Sequence, residues 1–294
     1  MKILITGCTG FVGAHLIKYL LSEKHEITCI RKSKDSNLNY PNIRYIDYNL
    51  NEAFDNRFLP DNIEYIIHLA ATIDNSMNPL EIFRINTLST LNLLEYAKYA
   101  HAKKFLFIST GGVYGYKQSP SSEESPYNPI GFYGLSKYQS ELLVNYYKDI
   151  FQIIILRLFY PYGPNQKKGI IPQLTQKILK NEPILIYNKG NPRINPIHIS
   201  DVTKTIIKCL YLESNQIINI CGDEVISIKE LSEILGLNIG IKPKFQYVEN
   251  QSISDLIGDN RKMKFTLGIQ PSISLEQGIQ QFLIEEHEHN DISD

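Results

Sequence analysis

The chain has 294 residues, 43% of them hydrophobic, and a formal net charge of −1, which suits one large or two ordinary folded domains with a buried core. The near-neutral balance offers no basic surplus for nucleic acid or an anionic membrane surface, so neither partner is expected. No apolar run approaches the ~18 residues of a membrane span, and the first strand pattern starts at Lys2, leaving no room for a signal peptide. The four cysteines, Cys8, Cys29, Cys209 and Cys221, form no CxxC pair; buried free thiols in a reducing cytoplasm are expected, with no metal site.

From Lys2 to Gly13 (KILITGCTGFVG) an apolar strand pattern breaks into Gly7, Gly10 and Gly13 and resumes at helical spacing through Leu20. Strand, tight turn and helix in that order suit a dinucleotide pyrophosphate. Gly7 makes the turn, Gly10 lets the phosphates approach the backbone, and Gly13 lets the helix pack on the strand with its N-terminus facing the phosphates. Residues 26–30 read as a second strand, followed by Arg31-Lys32-Ser33-Lys34. An acid at this junction would bind the ribose 2′-OH of NAD, whereas Arg31 and Lys32 suit the 2′-phosphate of NADP; Asp35 comes late for the ribose role. The bland alternative is a solvated basic loop.

Residues 42–46 form a third strand pattern ending at Asp47, and 64–68 a fourth running into Ala70-Ala71. Such ends belong at the carboxyl edge of a parallel sheet, where ligands bind. A helical pattern opens at Asn78-Pro79 and runs through Ala97, and 104–108 is a fifth strand leading into Ser109-Thr110-Gly111-Gly112-Val113-Tyr114-Gly115. A Ser/Pro-rich loop, 120–129, is expected to cross the active-site face. Residues 131–148 read as a helix carrying Tyr133 and Lys137, four apart on one face. A sixth strand, 153–158, runs into the breakers 159–164, which mark the end of a doubly wound sheet. Beyond them, helical patterns near 170–180, 200–212, 227–235 and 275–282 alternate with short strands near 184–187, 217–220 and 244–248. The expected fold is α/β, a Rossmann-like doubly wound parallel sheet with a smaller α+β C-terminal substrate lobe. Residues 1–165 would bind the dinucleotide, with 195–222 returning to that domain, and 166–194 with 223–294 would form the lobe. The tail 285–294 carries two histidines among acids and reads as a frayed terminus.

A tyrosine with a lysine one helical turn on, after a strand ending in Ser-Thr, is a proton-transfer constellation. A free Tyr has a pKa of about 10, so work near neutrality needs a shift worth about 4 kcal/mol. An ammonium about 4 Å away at an effective dielectric of about 20 supplies that scale. Lys137 could do so while binding the cofactor ribose. Thr110 would hydrogen-bond the substrate oxygen, Tyr133 would exchange its proton, and a nicotinamide would exchange hydride with the attached carbon.

The sequence resembles the extended short-chain dehydrogenase/reductases, the epimerases, dehydratases and reductases of nucleotide sugars. The resemblance rests on TGxxGxxG at Thr6–Gly13, HLAA at His68–Ala71, Asn86 followed by LNLLE, STGGVYG at Ser109–Gly115, YGLSK at Tyr133–Lys137, RLFYPYGP at Arg157–Pro164, NPIHISDV at Asn195–Val202, NICG at Asn219–Gly222 and DNRKMKFTLG at Asp259–Gly268. It implies a catalytic triad of Thr110, Tyr133 and Lys137. It implies a cofactor site at Gly7, Thr9, Gly10, Phe11, Val12, Gly13, Arg31, Lys32, Asp47, Tyr48, Leu69, Ala70, Ala71, Asn86, Tyr133, Lys137 and Tyr160. Thr72, Thr110, Gly111, Gly112, Tyr133 and Arg193 would face the substrate. It also implies a homodimer through helices at 79–100 and 131–148.

The departures from the family pattern bear on reaction type. In the 4,6-dehydratases an Asp and a Glu follow the catalytic Thr and eliminate water; here Gly111 and Gly112 stand there. The usual Asn that touches the sugar diphosphate is Tyr160. Arg193 stands where a phosphate-binding Arg is usual, one residue further from His198, and a second phosphate Arg is missing before Gly258-Asp259, although Arg261 lies nearby. His198 reads as a buried structural histidine beside Asp201. No GxSxG elbow, P-loop or HExxH is present, so hydrolase and NTPase mechanisms lack their machinery.

The expectation from these readings is an NADP-dependent reductase of a 4-keto-(6-deoxy)hexose carried on a nucleoside diphosphate. The alternatives are a NAD-dependent 4-epimerase of the same substrate class, using the same triad, and a non-catalytic dinucleotide sensor.

Overall fold

A computed structural model describes residues 1–32, 39–50, 55–74, 76–187, 190–248 and 254–290; Asp35 and the side chains of the tail histidines lie outside them. The described chain forms two compact units: 1–113 with 127–157 and 203–218, and 114–126 with 158–202 and 219 onward. The first unit thus ends at Arg157 rather than at 165, the 114–126 loop goes with the second, and the segment that returns is 203–218.

In the first unit the strands are β1 (Lys2–Thr6), β2 (Glu26–Arg31), β3 (Ile43–Asp47), β4 (Tyr65–His68), β5 (Lys104–Thr110) and β6 (Gln152–Leu158). With the strand Gln216–Ile220 they make a seven-stranded sheet in the order Gln216–Ile220, β6, β5, β4, β1, β2, β3. β1, β2, β3, β4 and β5 run parallel. A sheet covered on both faces buries successive residues, which explains the unbroken apolar runs Ile3-Leu4-Ile5 and Ile153–Leu156 in place of an alternating pattern. The register sets Thr6 beside His68, His68 beside Phe107 and Arg31 beside Asp47, so the chemistry-bearing strand ends align. Ser109 and Thr110 are the last residues of β5.

Helices α1 (Phe11–Leu20), α2 (Pro79–Phe83), α3 (Ser89–Tyr99) and α4 (Gly131–Tyr146) flank this sheet. Asn78 caps α2, its Oδ1 accepting from the Leu80 N–H at 2.9 Å. Between α2 and α3 the expected continuous helix widens into a π-helical turn, Arg84–Leu88, which carries the buried Asn86 and Thr87. Leu93, Leu94 and Ala97 of α3, Val144 of α4, and Ile66, Phe105 and Ile155 of the strands share one core. Lys104, itself buried, donates from Nζ to the Cys209, Leu210 and Leu212 carbonyls at 3.2, 2.5 and 2.5 Å. That places a cation at the C-terminus of the helix Ile199–Leu210, where the helix dipole favours it.

The second unit has its own core of Tyr162, Leu174, Ile186, Leu231, Ile279 and Phe282. Its strand pairs are Ile184–Tyr187 with Phe245–Val248, Arg193–Ile194 with Ile226–Ser227, and Pro161–Tyr162 with Ile197–His198. The helix Ile228–Ile239 opens on a reciprocal Ser227/Glu230 capping box and closes at Gly240, whose φ of 80° only glycine adopts readily. A helix at Arg261–Leu267 goes beyond the expected elements. Among the described residues, no helix is long and apolar enough to cross a membrane, and no group of three His, Cys, Asp or Glu is arranged to hold a metal.

Candidate active site and cofactor cradle

The glycine turn is shaped by close backbone approach. Gly7 has φ 71°, and a Cβ there would lie 2.6 Å from Ala70 N and 2.8 Å from Leu69 C, the chain leaving β4. A Cβ on Gly13 would lie 2.2 Å from Gly7 O, so the α1 backbone sits directly on the turn. The Gly10 N–H donates to Gly7 O at 3.0 Å. Gly10 is the N-cap of α1, with no side-chain cap and no acid in the first turn. No acid of its own first turn competes at the α1 N-terminus, an arrangement that fits the pyrophosphate of a nicotinamide dinucleotide.

A chain of hydrogen bonds braces this turn from beneath. The Ala70 N–H donates to Thr6 Oγ1 at 3.2 Å, and Thr90 Oγ1 donates to Asn86 O at 2.6 Å. Between them His68 contacts Thr6 Oγ1 through Nδ1 at 2.7 Å and Thr90 Oγ1 through Nε2 at 3.0 Å. With Thr90 already donating to the carbonyl, its oxygen accepts from Nε2–H, and Thr6 donates to Nδ1. These directions assign His68 as the neutral Nε2–H tautomer. Full burial and the Lys137 ammonium both push its pKa well below the usual histidine range, in the same sense. Asn86 accepts from the Thr72 N–H at 2.8 Å, and donates from Nδ2 to Thr72 O and Ser136 Oγ, each at 3.0 Å. The π-helical turn thereby joins the segment after β4 to α4.

Arg31 differs from expectation. Its Nε lies 2.7 Å from Asp47 Oδ1 and its guanidinium stacks 4.4 Å from the Tyr45 ring centroid, while Lys32 is exposed. A guanidinium already paired with a carboxylate attracts a 2′-phosphate less than a lone one would. NADP as the primary cofactor therefore loses its main support. The Tyr48 N–H donates to Arg31 O at 2.9 Å, continuing the pairing of β2 and β3.

The three residues expected as a triad all belong to the first unit, Thr110 at the end of β5 and Tyr133 and Lys137 one turn apart on α4. The Tyr133 hydroxyl is hydrogen-bonded to the Thr110 side chain, which joins the first turn of α4 to the end of β5. Desolvation pushes the Tyr133 phenol up to about 12, against the lowering effect of that hydrogen bond. Lys137 is buried with Nζ 3.9 Å from the Phe107 ring centroid; burial lowers it to about 7 while Glu141 opposes the shift. Each group is thus driven toward its neutral form, which brings the lysine into the neutral pH range. Gly111 and Gly112 occupy a 3₁₀ turn with Val113, and the Gly112 N–H donates to Thr110 Oγ1 at 3.1 Å. Their lack of side chains leaves Thr110 without an adjacent acid or base.

Beneath Lys137 lies a buried network outside the expected site. Arg157 Nη2 lies 2.6 Å from Glu141 Oε2, with the two side chains 0% and 4% exposed. Arg157 Nε also reaches both Glu141 oxygens, at 3.0 and 3.2 Å, and Nη2 donates to the Tyr127 hydroxyl at 2.7 Å. Ser109 Oγ donates to Glu141 Oε1 at 2.5 Å. The spacing of Glu141, one turn after Lys137, was the signal that could have marked it.

Two of the expected site residues belong to the second unit. Tyr160 has φ 47°, a left-handed backbone that asparagine adopts more readily than tyrosine, and burial pushes its phenol up. Arg193 is half-exposed and pairs with Asp255, its Nε and Nη2 donating to Oδ2 at 2.9 and 2.6 Å. His198 is buried, with Nδ1 2.8 Å from Ser200 Oγ and its ring edge-on to Tyr162. Asp201, expected beside it, accepts from Ser272 Oγ and N–H at 2.7 and 2.8 Å.

Known proteins share this architecture. A UDP-glucose epimerase of Bacillus subtilis, itself uncharacterised, is 30% identical over 95% of this chain and 96% of its own. GDP-6-deoxy-D-talose 4-dehydrogenase of Aggregatibacter actinomycetemcomitans is 30% identical over 91% and 92%. Among solved structures, UDP-glucuronic acid 4-epimerase of Bacillus cereus in complex with UDP-glucuronic acid and NAD superposes with a TM-score of 0.87 at 26% identity, over 98% of this chain and 100% of that one. The model of the NAD dependent epimerase/dehydratase family matches residues 3–221. The chain belongs to that family, within the extended short-chain dehydrogenase/reductases.

Proposed function

We propose that the chain is a NAD-dependent 4-epimerase of a UDP-linked hexose or hexuronic acid. The observation that carries the reading is the Thr110–Tyr133 hydrogen bond, with the desolvated Lys137 one helical turn on from Tyr133 and glycines where elimination would need an acid and a base. Two points favour epimerisation over net reduction: the Arg31–Asp47 pair weakens the case for NADP, and similar proteins carry 4-epimerase names and hold NAD.

Gly7, Gly10 and the N-terminus of α1 would hold the dinucleotide, which would supply reversible hydride exchange with the sugar carbon. Thr110 holds the C4 oxygen by hydrogen bond. Tyr133 takes the hydroxyl proton as the alcohol becomes a ketone and gives it back after the sugar has turned. Tyr133 must therefore start as the phenolate and is the neutral phenol while the ketone turns; the Lys137 ammonium would steady the phenolate from which the transfer starts and to which it returns. Proton transfer of this kind contributes roughly 10²–10⁴-fold.

The test is incubation of the purified protein with UDP-glucose, UDP-galactose, UDP-glucuronic acid and UDP-galacturonic acid, followed by proton NMR. Interconversion of one 4-epimer pair with catalytic NAD and no net cofactor turnover is expected, lost in Tyr133→Phe. Stoichiometric NADPH oxidation with a 4-keto sugar would establish the reductase instead. Stoichiometric NAD reduction would indicate a dehydrogenase. Dinucleotide binding without any turnover would leave the sensor.

A further inference from the structure

We propose that the buried Arg157–Glu141 ion pair positions the proton-transfer site, its carboxylate anchoring Ser109 beside Thr110 and setting the charge balance around Lys137, one turn back along the same helix. The idea rests on the reading of Lys137 and Tyr133 as proton-transfer partners given above.

Three observations carry it. The first is connectivity: Glu141 Oε1 accepts from Ser109 Oγ at 2.5 Å, and Ser109 is bonded along the chain to Thr110. One carboxylate thereby links the end of β5, which presents Thr110, to the helix that presents Tyr133 and Lys137. The second is geometry. Arg157 grips both oxygens of Glu141 from β6 and is itself stacked 5.0 Å from the Tyr127 ring, so the carboxylate has little freedom to rotate.

The third is charge balance. Lys137, Glu141 and Arg157 are all almost fully buried. The groups that act on Lys137 from its surroundings are Glu141, one turn on along α4, His68 on β4 and the Phe107 ring on β5, with Arg157 of β6 paired to Glu141. His68 is held neutral by Thr6 and Thr90, and the guanidinium does not lose its proton. Glu141 therefore carries the one buried negative charge felt both by a fixed cation, Arg157, and by a titratable group, Lys137. If its charge is removed, the strain falls on the group able to deprotonate, which is Lys137. Removing Arg157 instead leaves Glu141 to favour the ammonium more strongly.

The experiment is a pH titration of 13Cε-lysine NMR signals in the full chain, with Lys137 assigned by Lys137→Arg, accompanied by thermal melts and by pH profiles of turnover. Lys137 should titrate near neutrality in the wild type. Glu141→Gln should lower its midpoint by a unit or more, Arg157→Met should raise it, and Glu141→Met with Arg157→Met together should return it toward the wild-type value. Glu141→Asp, which keeps the charge, should hold the midpoint. For turnover, Glu141→Gln should move the alkaline limb of kcat, where the Lys137 ammonium is lost, about one unit to lower pH, and cost up to about tenfold above neutrality with KM changed less than about twofold, because one pH unit is a factor of ten.

A folded Glu141→Gln with an unmoved Lys137 midpoint would overturn the proposal. So would a uniform fall in kcat that leaves the pH limb in place, which is what loss of structure alone produces. If Glu141→Gln does not fold, the Arg157→Met and double variants decide the question by the direction of their shifts. The NMR midpoint needs no substrate, so shifts as expected in a protein that turns over no nucleotide sugar would refute the reaction assignment while leaving the charge balance standing.

Discussion

Arg31 Nε and Asp47 Oδ1 lie 2.7 Å apart across the register of β2 and β3, at the sheet edge where the adenosine end of a dinucleotide is expected. A basic residue after the second strand reads from sequence as a 2′-phosphate site. The partner that neutralises it stands sixteen positions on and is brought opposite only by the parallel pairing. We expect NAD to bind more tightly than NADP. Asp47→Asn should release the guanidinium and move the NADP:NAD affinity ratio upward by about tenfold, the scale of one charged hydrogen bond. Calorimetric titration of both dinucleotides against both proteins checks this.

Lys137 is expected to weaken the fold it sits in. Its folded pKa is lowered from 10.5 to about 7 by burial, so between those values the unfolded chain binds more protons than the folded one. Stability then rises with pH across that window, and the cost of burying the ammonium is fully present below it, at most roughly 4–5 kcal/mol. Lys137→Met should raise the melting temperature at pH 7, with the gain shrinking as pH approaches 10.5, and should abolish turnover. Melting the two proteins from pH 6.5 to 10 tests the sign. A gain that grew with pH would contradict it.

His68 should impose the opposite limb. Its pKa is lowered below 6.5 by burial and by Lys137, so its contribution is present above pH 6.5 and declines as pH falls, because the unfolded chain takes the proton first. His68→Gln should flatten the loss of stability between pH 6.5 and 5 at some cost at neutrality, where the Thr6 and Thr90 hydrogen bonds to the ring are lost. Urea titrations at four or five pH values separate this limb from the carboxylates, which titrate lower.

Much of this site was legible in order along the chain. The glycine turn, the strand ending in Ser109-Thr110 and the Tyr133/Lys137 spacing each follow from local periodicity, and they fall where expected. What could not be read locally depends on pairing between distant segments. The π-helical turn at Arg84–Leu88 interrupts a run with the apolar spacing of one helix, and the buried Asn86 on it is held by Thr72 and by Ser136, partners that only the fold brings to it. Tyr160 reads as a substitution of side chain, yet its φ of 47° makes it a substitution of backbone preference as well. Arg157 and Glu141 lie in motifs that look like ordinary strand and helix, and their burial as a pair is invisible without the fold.

Gly7 and Gly240 separate two reasons for glycine. Both have positive φ, 71° and 80°, but a Cβ at Gly7 meets Ala70 N at 2.6 Å, while one at Gly240 meets nothing within 4 Å. Gly240→Ala should therefore cost only the left-handed backbone strain, about 1–2 kcal/mol. Gly7→Ala adds a backbone clash that no side-chain movement relieves, and should cost well beyond that as well as dinucleotide binding. Chemical denaturation of both variants, with NAD titration of whichever folds, distinguishes them; equal costs would mean that the Gly7 approach to Ala70 opens freely.

The exposed apolar residues of the first unit bear on assembly. Leu135, Leu142 and Tyr146 are exposed on α4 at positions that recur on one helical face, and Leu80 and Phe83 are exposed on α2, which packs against α4. Exposed apolar side chains recurring on one face of a helix suit an interaction site better than a solvated face. We propose that it pairs with its equivalent on a second copy, as an isologous contact requires. The wild-type chain should then run as a dimer in light scattering, and Leu142→Arg with Tyr146→Glu should yield a monomer that still binds NAD, since neither residue lies in the cofactor cradle or the triad. A wild-type protein that is monomeric at every accessible concentration would refute the pairing.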